Sequence, residues 1–151
     1  MRRLLGAAAC GILLALSSCA SLQHGWDQGA VKEVADLINA GQSQKLAAMS
    51  VTPFLVDQEI VPLKADVASF WDGVVNAGYR VQGAALEGGT PVDAGSYTQF
   101  ANTMEVKSFF ARYVKKDTRV LRMSTSGGTH ILLLMRSEWF SRQLIGFKGP
   151  F

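Results

Sequence analysis

The chain has 151 residues, 48% of them hydrophobic and 18% charged, with a formal net charge of +3. That length and apolar content suffice for one domain with a full core. Two cysteines and two histidines, at positions 10, 19, 24 and 130, are too few and too scattered for a CxxC redox pair, a disulfide framework or a zinc cluster.

Arg2 and Arg3 stand near the start of the chain, and Leu4 to Leu16 is an uncharged run of small and apolar residues. The run has 13 residues, short of the roughly 18–20 that a helix needs to span a bilayer. A charged n-region, a short apolar core and a small-residue exit are the layout of a secretory signal. Here the exit is Leu16-Ser17-Ser18 leading into Cys19. This pattern resembles the lipobox of bacterial lipoprotein precursors. The resemblance implies that residues 1–18 are a signal peptide, cut between Ser18 and Cys19. It also implies that Cys19 is diacylated and that its new amino group is acylated. An ordinary cleaved signal and a retained segment are the alternatives. Cys10 follows Ala7, Ala8 and Ala9 but sits inside the apolar core without Leu at −3. Ala20 stands where an inner-membrane retention Asp would be, so the resemblance points to the periplasmic face of the outer membrane.

Without residues 1–18, which carry two of the 15 basic and none of the 12 acidic residues, the formal charge falls to +1. Nucleic acid and strong attachment to anionic headgroups are therefore not expected. No cysteine besides Cys19 remains in that part of the chain.

Residues 19–29 read as a lipidated cysteine and a polar tether, with residues 30–151 as a single domain. Val31, Val34, Leu37 and Ile38 recur at helical spacing, with Gly41 as the stop. Leu46, Ala47 and Met49 mark a second short helix. Phe54-Leu55-Val56 and Ile60-Val61 are short apolar runs around Asp57-Gln58-Glu59, with Pro53 and Pro62 at the margins, which suits an edge strand or a hairpin. From Asp66, the spacing of Val67, Phe70, Trp71, Val74 and Val75 predicts an amphipathic helix ending at Gly78. A strand is expected over 79–86 and a Gly-rich loop over 87–95. Ser96 with Gln99 suggests a capping box, and Thr103 a second N-cap, for a helix reaching Val114. The rest reads as strands: Thr118–Thr125, a turn at Ser126-Gly127-Gly128-Thr129, Ile131–Met135, a turn near Ser137-Glu138, and Gln143–Lys148. A run as apolar as Ile131–Met135 should be a central strand covered on both faces.

Helices first and a meander last argue an α+β domain, with N-terminal helices packed on one face of a curved, mostly antiparallel sheet. This element order, with the closing Gly146-Phe147-Lys148-Gly149-Pro150, is similar to the nuclear transport factor 2-like (cystatin-like) cone over about residues 30–151. The helix from Ser96 to Val114 departs from that pattern and would be an insertion.

Chemistry is sparse. His24 falls in the tether and His130 beside a hairpin turn, with no HxxxH, HxH or HExxH spacing. Ser126 and His130 share the turn, so His130 is a weak catalytic candidate. Asp57 and Glu59 lie on one side of a strand, and in a dry pocket one of them would hold its proton and could shuttle it. Relatives in the cone family include isomerases and dehydratases with a pocket Asp, and Tyr79 or Tyr113 could supply a hydroxyl beside it. A polar turn accounts for Asp57-Gln58-Glu59 more simply. No metal or cofactor is expected. The expected function is a membrane-anchored envelope lipoprotein whose non-catalytic domain binds a small apolar ligand or an envelope protein. A structural subunit of an outer-membrane assembly, a homodimer and a small pocket enzyme are the alternatives.

Overall fold

The computed structural model describes residues 9–138 and 141–151, with side chains from residue 21 onward. Arg2, Arg3 and the side chains of Leu16-Ser17-Ser18-Cys19 lie outside that range, as do residues 139–140. The element order is α1 (Ala9–Asn39), α2 (Ser43–Met49), β1 (Ser50–Val56), β2 (Glu59–Val61), α3 (Lys64–Asn76), β3 (Ala85–Pro91), a 3₁₀ turn (Ser96–Gln99), α4 (Met104–Tyr113), β4 (Thr118–Ser124), β5 (His130–Glu138) and β6 (Ser141–Lys148). The strands form one open sheet in the order β2-β1-β6-β5-β4-β3, antiparallel except where β1 runs parallel to β6. The protein is α+β, as its element pattern predicts.

β5 shows why the sheet is buried on both sides. Ile131, Leu133 and Met135 point to one face with α1, α2 and α3, while Leu132 and Leu134 point to the other with α4. All five are 0–3% exposed, so the unbroken apolar run is the central strand. The expectation of helices on one face is corrected here. α4 covers the back of the sheet because Val106, Phe109 and Phe110 form an apolar stripe that packs on Leu55, Val120, Leu132 and Ile145.

The helix signals act as expected in two places. α3 carries Asp66 in its first turn, where the dipole favours it, and it ends at Gly78 with φ +72. α4 is capped by Thr103, whose Oγ1 accepts from Val106 N at 3.3 Å. The Ser96–Val114 helix, in contrast, divides in two. Ser96 Oγ bonds Asp93 Oδ1 at 2.8 Å instead of capping a long helix, so only a 3₁₀ turn forms before α4 starts. That bond and the Gly95 amide hold the Asp93 carboxyl below its usual range.

Three other segments differ from expectation. Residues 79–84 form no strand, because Val81 pairs with the Asn39 side chain in both directions, at 2.7 and 2.8 Å. The strand comes later: β3 occupies most of the expected loop and pairs with β4 from Ala85 to Pro91. Residues 21–29, expected as a tether, are helical. Residues 21–25 are exposed, but Trp26 is half-buried and Asp27 only 3% exposed.

Candidate functional site

The acid–base residues that the sequence singles out do not converge. Asp57 sits at the tip of the β1–β2 hairpin with φ +53, a conformation Asp tolerates better than most residues. Its Oδ1 accepts from Gly149 N and its own N–H donates to Phe147 O, both at 2.9 Å. Asp57 and Glu59 are both exposed, so no dry pocket surrounds either carboxylate. Asp57 instead ties the end of β6 to the hairpin. Tyr79 is half-buried against the α1–α3 side, where burial raises its hydroxyl pKa, while Tyr113 is 47% exposed on α4.

His130 belongs to a small ionic cluster. Its Nδ1 lies 3.1 Å from Glu87 Oε2, which also accepts from Arg122 Nε at 2.9 Å. Its backbone exchanges two hydrogen bonds with Phe151, whose ring is 6.0 Å away. Ser126, its proposed partner, packs its Cβ against Gly83 and donates its N–H to Gln82 O. These contacts describe a strand end being closed, not a nucleophile being activated. Among the described residues no three His, Cys, Asp or Glu side chains gather as a metal site. No helix among them is long and apolar enough to cross a membrane.

What the structure does bring together is a buried junction at the start of the folded body. Arg119 on β4 donates through Nε and Nη2 to the two oxygens of Asp27 on α1, both at 2.8 Å. Nη2 also reaches Gly89 O on β3 at 2.7 Å, and Gln23 Nε2 donates to Asp27 at 3.1 Å. The pair is almost dry, with side-chain exposures of 16% and 4%. Beside it, Arg142 on β6 stacks over the Trp26 ring at 5.5 Å and pairs with Glu33 at 2.8 Å. Trp26, Gly29 and Glu33 lie along one stripe of α1, and a Cβ at Gly29 would stand 2.7 Å from the Arg142 guanidinium. α1 is thus fastened to both halves of the sheet by arginines.

Gly89 is where this junction is least tolerant. A Cβ there would meet Asp27 Oδ2 at 2.2 Å and Leu121 Cδ2 at 2.9 Å, whereas one at Gly88 meets nothing within 4 Å. Gly89→Ala should cost about 1–3 kcal/mol through overpacking, and Gly88→Ala far less. Urea melts of the two variants side by side check this.

One open groove adjoins the junction and a second lies on the α4 side of the sheet. The first, of about 560 Å³, is lined by Leu22, Gln23, Trp26, Pro91 and Lys116. The other, of about 600 Å³, runs between α4 and the segment after β3, over Val92, Phe110 and Val114, with Lys107, Lys115 and Lys116 along it. Sequence reasoning missed the Asp27–Arg119 pair, since nothing local marks two residues 92 positions apart.

Comparison with protein-family models, with curated proteins and with solved structures finds no match to this chain.

Proposed function

We propose that this chain is an envelope lipoprotein, held to a membrane through a lipidated Cys19, whose body binds a partner and performs no chemistry of its own. The observation that carries the reading is Leu16-Ser17-Ser18-Cys19 behind a short apolar run and two arginines. The exposure of Asp57 and Glu59 supports a non-catalytic body. Ala20 favours the periplasmic face of the outer membrane. The start of packing at Trp26 and Asp27 leaves only a few exposed residues after Cys19, so the body would be held close to the lipid.

A cone-like relationship is part of the same proposal. Three N-terminal helices on one face of a mostly antiparallel sheet support it, and α4 would be the addition. The interior between those helices and the sheet is filled by Phe54, Trp71 and Phe147, all 0–3% exposed. A second reading, a small apolar ligand, therefore moves from the interior to the groove over Phe110 and Val114. A homodimer or a larger outer-membrane assembly would use other surfaces than the sheet faces, since both are covered.

The test is the intact mass of the full chain expressed in a bacterial host. The expected species begins at Cys19 and carries diacylglyceryl, with or without a further acyl group, while Cys19→Ala accumulates as the uncut precursor. A product cut elsewhere, or cut at Cys19 without lipid, would overturn the reading.

A further inference from the structure

We infer that the face formed by the first exposed turn of α1 and the α4–β4 connection rests on the bilayer, with Lys107, Lys115 and Lys116 on anionic phospholipid headgroups. The inference rests on the lipoprotein reading above and says which surface of the body meets the membrane. Its first ground is position. Leu22 and Trp26 lie three and seven residues after Cys19, and seven helical residues span about 10 Å. A lipid on Cys19 therefore places this end of α1 at headgroup depth. Leu22 is 75% exposed there, and Trp26 offers the amphipathic ring that membrane interfaces favour.

The second ground is continuity. Lys116 lines the groove beside Leu22 and Trp26 and also the groove of Phe110 and Val114, which carries Lys107 and Lys115. One surface thus joins the anchored end of α1 to three lysines over an apolar floor.

The third ground is charge. Several surface cations elsewhere are engaged inside the protein, though not Lys45, Lys64 or Arg112: Lys32 with Asp36, Arg122 with Glu87, Arg142 with Glu33, and Lys148 with the carbonyls of Gln99 and Phe100. Among the described residues Lys115 and Lys116 have no such partner, and Lys107 stands only over the Tyr97 ring at 5.9 Å. Two acids share the face. Asp93, whose hydrogen bonds from Ser96 and Gly95 favour its charged form, and exposed Asp117 each offset one lysine, leaving one of the three lysine charges unbalanced. The remaining excess is too small to recruit the protein to a membrane, but it is enough to orient one already tethered, because headgroup attraction acts within a Debye length.

The experiment is amine footprinting of the purified lipidated protein with a water-soluble acylating reagent, read by mass spectrometry. It is run in detergent, on phosphatidylcholine vesicles, and on vesicles containing phosphatidylglycerol. Lys107, Lys115 and Lys116 should be labelled several-fold less on phosphatidylglycerol than in detergent. Lys45 on α2, beyond the far end of α1, and Lys64 on α3 should be unchanged. Lys115→Glu with Lys116→Glu should restore labelling of Lys107 while the protein stays on the vesicles. Full labelling of the three lysines on a lipidated, vesicle-bound protein overturns the orientation and leaves the lipoprotein reading intact. Equal protection on phosphatidylcholine overturns the role of anionic headgroups. A Cys19 without lipid overturns both readings together.

Discussion

Arg119→Met should destabilise the folded body by about 3–5 kcal/mol, because it strands the Asp27 carboxylate without its cation in a nearly dry site. Asp27 would keep only the Gln23 amide, 3.1 Å away, and Gly89 O would lose its donor as well. The double variant Asp27→Leu with Arg119→Met should recover much of that loss, since an apolar pair of similar volume avoids the desolvation of two charges. Urea denaturation of the wild type, both single variants and the double variant gives the coupling directly. Additive single losses would mean that the two charges do not act as a pair. Salt should change the coupling little, because a buried pair is screened far less than a surface one.

The same junction explains what the sequence could not reveal. Residues 21–25 are exposed and hold a single large apolar residue, Leu22, so they carry no periodic stripe, and the buried side chain that follows, Asp27, is a carboxylate. A local pattern reads such a stretch as solvated. The reason it is folded is Arg119, which arrives only with β4. β3 was misread for a related cause. Gly88, Gly89 and Pro91 look like loop residues, but the strand is at an edge, where Pro is tolerated, and Gly89 has no side chain because Asp27 occupies that space. By contrast, β5 and α3 were legible because their burial follows a local period, two faces for one and a 3.6-residue stripe for the other. The hairpin at Asp57-Gln58 was legible as a turn, and it is as a turn that these residues serve. The lipobox-like run Leu16-Ser17-Ser18-Cys19 and the proposed lysine face stand at opposite extremes. The first is a contiguous motif, while the second exists only once α1, α4 and β4 are brought together, so no spacing in the chain announces it.

Trp71→Ala should cost about 3–5 kcal/mol, the range for truncating a large buried aromatic. Trp71 is fully buried, and its ring lies 4.8 Å from Phe70, 5.3 Å from Phe147 and 6.1 Å from Phe54. It joins α3 to β1 and β6 at the point where the only parallel pairing among the described strands occurs. Its Nε1 donates to Ser50 Oγ at 3.0 Å, and that hydroxyl donates to Leu46 O at 2.7 Å, the end of α2. The indole therefore fills space and also completes a hydrogen-bond chain from α3 through β1 to α2, as a buried Trp N–H requires. Two further variants separate these roles. Trp71→Phe keeps one ring of the packing and loses the N–H with the other, so it should cost less than alanine. Ser50→Ala keeps the ring but leaves the indole N–H unpaired, while Leu46 O keeps its bond from the backbone N–H of residue 50, for about 1–3 kcal/mol. Chemical denaturation of the three variants orders them. If Trp71→Ala and Ser50→Ala lost the same amount, the hydrogen-bond chain and not the aromatic packing would be what holds α3 on the sheet. A large gap between them assigns that role to the ring cluster that fills the interior between α3 and the sheet.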